Sequence, residues 1–270
     1  MAHVKEVTSL ANPIVKDIRG LTSKKEREAS GAFLAEGLGF VAEALARGWR
    51  VRTLAYDRVV AGDPQLKRAI DATSAQGGQV LEVTEKVLAA ITRRDNPQAV
   101  IGVFEQRWTP LSDLRPKPDE TLVALDRVRD PGNLGTIIRT ADAAGASGVI
   151  LIDECTDPFA LEAVRATMGS LLAMPLTRCS AAEFLAWQGG SDAQVVATHL
   201  AGAVDYRTVD YAGKPVVLLM GNEQSGLPDA LAEAAYHTVR IPQQGSAESL
   251  NLGIATAVML FEARRHLLAL

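Results

Sequence analysis

Cysteine is nearly absent from this chain: Cys155 and Cys179 are the two among 270 residues. Two thiols cannot build a disulfide framework, and these are not spaced as a metal-binding pair, so a reducing compartment is expected. Long apolar runs are missing as well. No stretch reaches the roughly 20 residues that a helix needs to cross a bilayer, and the opening MAHVKEVTSLANP lacks the apolar centre of an export signal. A soluble, unexported, cytoplasmic protein with no membrane partner is the expectation. An excess of positive charge is also missing. The formal net charge is −4 and the sequence pI about 5.7, which does not advertise a nucleic-acid binder.

Several chemical signatures are absent too. Without a G-x-G-x-x-G the chain has no dinucleotide fingerprint. Gly221 and Gly226 have the glycine spacing of a P-loop, but no Lys-Ser/Thr follows them and Glu223 would repel a triphosphate. H-E-x-x-H, paired C-x-x-C and G-x-S-x-G are all missing, and His3, His199, His237 and His266 are scattered. Metal hydrolysis and serine-triad chemistry lose their usual support, and no metal is expected.

What is present is ample material for cores, with 47% hydrophobic residues, enough for one large α/β domain or two smaller ones. Charge is uneven along the chain. Residues 1–107 carry 16 Lys/Arg against 13 Asp/Glu, and residues 108–270 carry 12 against 19. The first stretch is therefore a candidate to meet an anion, with ordinary solvated surface as the equal alternative. Residues 12–27 (NPIVKDIRGLTSKKER) predict one amphipathic helix, with Ile14, Val15, Ile18 and Leu21 on one face and a basic tail. Lys24 and Lys25, like the Arg93-Arg94 pair farther on, read first as solvated surface and second as phosphate contacts. Strands are predicted at 31–35, 51–56, 80–83 and 99–104, with helices at 38–46, 65–75 and 86–91. That alternation suggests an α/β sandwich of about a hundred residues. Residues 108–120 (WTPLSDLRPKPDE) hold three prolines and read as a semi-rigid linker. The expected organisation is a domain at 1–107, the linker at 108–120 and a second domain at 121–270.

The second stretch opens with an apolar strand at 121–125 and the loop DRVRDPGN. A helix starting near Asn133 and stopped by Gly145 follows. Asn133 could be only that helix's N-cap. Arg139, flanked by Ile138 and Thr140, would need a carboxylate or a phosphate as partner if its guanidinium were buried. Strands at 148–152 and 194–198 and helices at 158–169 and 181–187 come next. The run VVLLM (216–220) then breaks into the polar loop NEQSG, and 237–241 leads through a Gly/Ser/Gln loop to an apolar helix just after Ser249-Leu250-Asn251. Two polar loops thus sit at the carboxyl ends of two predicted strands, the edge where open α/β sheets bind ligands. Asn, Ser and Arg around a single carboxylate suit a cofactor that lacks phosphates.

Three blocks carry a resemblance: PGNLGTIIRTADAAGA (131–146), LLMGNEQSGLPDAL (218–231) and IPQQGSAESLNLGIATAVMLFE (241–262). In order and spacing they resemble the three signature motifs of the SpoU family (TrmH-like) of RNA ribose 2'-O-methyltransferases, and residues 9–107 resemble the substrate-binding domain that many members carry in front. The resemblance implies a SPOUT-class α/β fold: a C-terminal domain with a deep trefoil knot, preceded by a small α/β/α substrate-binding domain, and a homodimer formed through the knotted domain. It implies S-adenosyl-L-methionine as cofactor, held by Gly221, Asn222, Ile241 and Leu250, with Thr198, His199, Leu200 and Ala201 lining the first knot loop. It implies Arg139 as the catalytic arginine, with Asn133, Glu223, Ser249 and Asn251 at the remaining polar positions. The plain alternatives are caps for Asn133 and Ser249, a Glu223 to Arg139 ion pair, and core packing for Ile241 and Leu250. Members with this front domain favour ribosomal RNA over transfer RNA as the implied substrate. A non-catalytic RNA-binding or assembly protein on the same fold is the competing class.

Overall fold

The structure, a computed structural model, describes residues 3–199 and 204–269. The chain divides into two compact units: residues 1–106 with 157–165, and 107–156 with 166–270.

The first unit contains β1 (Val4–Val7), α1 (Pro13–Gly20), α2 (Lys24–Ser30), β2 (Ala32–Glu36), α3 (Leu38–Ala46), β3 (Val51–Asp57), α4 (Pro64–Ala75), β4 (Gln79–Val83), α5 (Glu85–Thr92) and β5 (Val100–Glu105). Its five strands run in the order β1-β4-β3-β5-β2, parallel except where β5 pairs antiparallel with β3 and β2. The single helix expected over 12–27 is two. Leu21 caps the first, and Ser23 opens the second in an extended conformation, so the basic tail points along a separate axis. Asn12 accepts from the Ile14 N–H and Pro13 sits at the first helical position, where its missing N–H costs nothing. Apolar side chains of α1 and α5, such as Val15, Ile18, Leu88 and Ile91, pack on the sheet residues Leu34, Leu81 and Ile101.

The segment 157–165, drawn from far along the sequence, completes this unit. Phe159 lies 4.9 Å from Phe33 between ring centroids. Asp157 accepts from buried Arg27 at 2.6 Å, and Arg165 reaches both Glu36 and the Thr92 carbonyl. Pairing is what makes burial of such charges tolerable.

The second unit holds β6 (Thr121–Asp126), α6 (Pro131–Ala143), β7 (Gly148–Ile152), the last turn of α7 (Leu161–Thr167), β8 (Leu176–Cys179), α8 (Ala181–Gly189), β9 (Gln194–Thr198), β10 (Val204–Asp205), β11 (Val216–Met220), α9 (Asp229–Glu233), β12 (His237–Arg240) and α10 (Leu252–Ala263). Seven strands form one sheet, β10-β12-β9-β11-β6-β7-β8, and every pair is parallel. Strands β6, β7 and β11 are buried along their whole length, as continuous apolar runs covered on both faces should be. Phe184 of α8 and Leu227 and Leu231 at α9 pack on one face of the sheet. On the other, α10 lies against α6, with Gly253 close to Thr136. Chain order is broken twice: β11 enters between β6 and β9, and β12 between β9 and β10. Because all strands run the same way, the loops after β6, β9, β11 and β12 emerge on one edge.

Among the described residues no helix is long and apolar enough to cross a membrane.

Candidate active site

The carboxyl edge of the second sheet gathers the three sequence blocks. The loop after β6 ends in Asp130, whose side chain accepts from the Asn133 N–H at 2.6 Å and caps α6. Asn133 is therefore not the cap but the third helical residue, which frees its side chain. It donates from Nδ2 to Glu223 Oε1 at 3.2 Å and accepts on Oδ1 from Asn251 Nδ2 at 2.9 Å. Glu223 also accepts from the Arg129 backbone N–H at 3.4 Å. A continuous chain of hydrogen bonds thus joins Asn251, Asn133, Glu223 and the Arg129 amide across all three blocks. It lies at the carboxyl ends of the paired strands β6 and β11, from which the chain goes on to β7 on one side and β12 on the other, the kind of switch point where α/β sheets open a crevice.

Local chemistry builds the Glu223 loop. Asn222 Oδ1 accepts from the amides of Gln224 and Ser225, the side-chain turn for which asparagine is suited. Its backbone exchanges two hydrogen bonds with Gly226. Gly226 sits at φ +66°, and a Cβ on Gly221 would lie 2.5 Å from the Gly226 carbonyl carbon, so both glycines are dictated by the loop's tightness. Asn222 Nδ2 donates to the Arg127 carbonyl at 2.7 Å.

Asn251 has two tasks. Its Oδ1 accepts from the Ile254 N–H and caps α10, while its amide reaches Asn133. Ser249 is exposed, and the cap position expected for it belongs to Asn251. Arg139 is exposed on the outer face of α6 and has no ion pair or hydrogen bond among the described residues. The expected Glu223 to Arg139 pair is not made: Glu223 is held by Asn133 and Arg129. At the cofactor positions, Thr198 Oγ1 donates toward the Leu219 carbonyl at 3.4 Å and the His199 N–H donates to the Val239 carbonyl at 2.9 Å. Leu200 and Ala201 lie outside the described residues. Ile241 is half-buried and Leu250 exposed, so Leu250 is not core. Residues 242–250 are exposed throughout, and none of their backbone groups forms a backbone hydrogen bond among the described residues.

Sequence reasoning missed Arg129 and Arg127, which act here through main-chain atoms that no side-chain pattern betrays. Asn222 was legible as a loop residue but not as its fastener, although Asn is a residue that hydrogen-bonds the backbone two positions on, as it does here. Burial pushes the Cys155 thiol up to about 11 and the Cys179 thiol up to about 12. Among the described residues no group of three or more His, Cys, Asp or Glu is placed to hold a metal.

Residues 120–261 match the model of the SpoU rRNA methylase family, and residues 12–102 match that of the MRM3-like substrate binding domain. The crystal structure of an AdoMet-bound rRNA methyltransferase from Sinorhizobium meliloti is 64% identical, covers 98% of this chain and 99% of its own, and superposes with a TM-score of 0.95. The 23S rRNA (guanosine(2553)-2'-O)-methyltransferase RlmP of Bacillus subtilis is 31% identical over 97% of this chain and 100% of its own. The 23S rRNA (uridine(2479)-2'-O)-methyltransferase of Streptomyces viridochromogenes is 32% identical over 91% of this chain and 87% of its own. With its second unit matched from the strand before the first block to the end of the third, this chain belongs to the SpoU rRNA methylase family.

Proposed function

We propose that the protein is an S-adenosylmethionine-dependent RNA ribose 2'-O-methyltransferase acting on ribosomal RNA. The observation that carries this reading is the hydrogen-bond chain Asn251, Asn133, Glu223 and Arg129 amide at the carboxyl edge of the sheet, with Arg139 left free on the same helix as Asn133. Ribosomal RNA is favoured over transfer RNA because two relatives that match along most of the chain, front unit included, are named for it, while a relative named for transfer RNA alone matches over 56% of the chain.

The donor set fits the cofactor. Exposed backbone groups at 242–250 and in the loop after Gly221 can read the edges of an adenine, while Ile241 and Leu250 offer apolar surface for its faces. We assign Gly221, Asn222, Ile241 and Leu250 to this role, with Thr198 and His199 beside them. S-adenosylmethionine held there would supply an electrophilic methyl carbon to the ribose 2'-oxygen, with its sulfur as the leaving group and solvent as the acceptor of the hydroxyl proton. Arg139 is not assigned as the base, since a guanidinium carries donors and no acceptor. Its part is to clamp an RNA phosphate and to stabilise the charge that develops on the 2'-oxygen. Asn133, Glu223 and Asn251 hold the nucleotide and the loops in reacting geometry, and exposed Ser249 is available to the nucleotide from the third block.

The first unit, residues 1–106 with 157–165, is assigned to gripping the RNA, and the second, 107–156 with 166–270, to catalysis; the expected linker at 108–120 and, apart from 157–165, the expected domain at 121–270 fall in the second. The family's trefoil knot is consistent with β12 lying between two strands that precede it, and the family's homodimer with the apolar face of α10. An enzyme working on ribosomal RNA belongs in the cytoplasm. Transfer of labelled methyl from S-adenosylmethionine to unmodified ribosomal and transfer RNA pools, with mapping of the product, tests the reading. Label on a single ribose of ribosomal RNA is expected. Cofactor binding without transfer to either pool would favour an RNA-binding or assembly role instead.

A further inference from the structure

Asp126 ends β6 with a side chain that is fully buried. One carboxylate oxygen accepts a hydrogen bond from Nε of the next residue, Arg127, at 2.9 Å and forms an ion pair with its Nη2, also at 2.9 Å. The other oxygen is buried with no hydrogen-bond partner among the described residues. Burial pushes the carboxyl above its usual range, against the pull of Arg127. Such an arrangement contributes little to net stability, because desolvation offsets the attraction. What it does fix is geometry. Arg127 has a left-handed backbone, φ +49°, a conformation unfavourable for a residue with a Cβ. Its N–H donates to the Ile152 carbonyl at 3.1 Å, and its carbonyl is the acceptor for Asn222 Nδ2 at 2.7 Å. Asn222 in turn closes the loop that carries Glu223.

We propose that the Asp126 and Arg127 pair positions the transfer site: it locks the left-handed turn after β6 and, through the Arg127 carbonyl, sets where Asn222 holds Glu223 against Asn133. Neither residue touches the reacting atoms. Both act through Asn222, and the role rests on the functional reading above. Arg127 is one-third exposed, and in a variant without it the buried Asp126 can take a proton, which limits the cost of leaving a carboxylate unpaired.

Arg127→Gln tests the link by two independent readouts. In methyl transfer it should lower kcat about tenfold, the scale on which misplacement of a site by a fraction of an ångström acts, with KM for RNA within about twofold of wild type. Arg127→Lys, which keeps the ion pair, should recover most of that loss. In an Asn222→Ala background Arg127→Gln should change nothing further, since both substitutions cut one path. A rise in KM with kcat unchanged would instead make Arg127 an RNA contact, and losses that multiply in the double variant would overturn the shared path. The second readout is amide hydrogen exchange of the peptide spanning 222–226, which should speed up in Arg127→Gln. Unaltered exchange there sinks the proposal whatever the activity. A wild-type protein that transfers no methyl group would instead defeat the functional reading while leaving the exchange experiment to judge this one.

Discussion

Arg139 illustrates how a helix separates sequence neighbours. It follows Ile138, and both Ile137 and Ile138 are fully buried, yet at 100° per residue Arg139 turns onto the outer face of α6 with Thr136 and Ala143. The guanidinium is exposed, so it needs no buried partner, and of the two expected partners, a carboxylate or a phosphate, it has no carboxylate among the described residues. What stands is an exposed cation on the helix that carries Asn133, placed to take an external anion. Arg139→Ala should abolish methyl transfer, by about a thousandfold, the scale of losing a preorganised donor to a developing oxyanion. Affinity for S-adenosylmethionine, measured by calorimetry, should change by less than about twofold. A loss of cofactor binding as large as the loss of turnover would remove Arg139 from the chemistry. The residue types at the site were thus readable from the three blocks, but their partners were not. Asn133 pairs with residues 90 and 118 positions away, a relation that only the folded sheet creates.

At the level of elements, helix starts are where local chemistry and site chemistry compete for the same side chains. Asp130 takes over the capping of α6 and so leaves Asn133 for Glu223. At α10 no substitute exists, and Asn251 both caps with its oxygen and links with its amide. The two tasks separate by substitution. Asn251→Ser retains a capping oxygen but loses the amide donor, so it should unfold near the wild-type temperature while turnover drops about tenfold. Asn251→Ala should lose as much turnover and also about 1 kcal/mol of stability. Full activity in the serine variant would reduce Asn251 to a cap. Most elements were legible because their signals are local: an apolar face at helical spacing for α1, and unbroken apolar runs for β6, β7 and β11, whereas the Pro after a capping Asp at α4 and α6 was passed over and both starts were placed too late. The missed strands lie at edges. Strand β1 buries a single residue, Val7, and β8 buries its first two alone, so neither shows the alternation or the apolar run that marks a strand. The split of α1 from α2 escaped because the apolar stripe ends at Leu21 while the charged pattern continues across the break.

For the whole molecule, order in the sheet was beyond any reading of periodicity. Nothing local in 216–220 places β11 between β6 and β9, since that follows from which strands pair and not from what each strand is. One global property does show in the sequence pattern. Helix α10 is apolar nearly all round, and while Met259 and Leu260 are buried, Leu250 before it and Ile254 and Phe261 within it stay exposed. Positions 254 and 261 are spaced by seven, which puts them on one stripe of α10, and Leu250 before the helix and Leu267 and Leu268 past its end add further exposed apolar surface. A stripe of this kind on two copies can close on itself about a two-fold axis, because an isologous contact needs one self-complementary patch. Each large side chain so covered contributes about 1.5–3 kcal/mol, enough from both copies to hold a dimer at micromolar concentration. Light scattering should therefore return twice the 28.7 kDa mass of the chain. Ile254→Glu with Phe261→Glu, which places four carboxylates in the closed interface, should return the single mass with the helix content unchanged. A wild-type protein that scatters as a monomer would leave the stripe without its second copy, and the proposed dimer would fall with it.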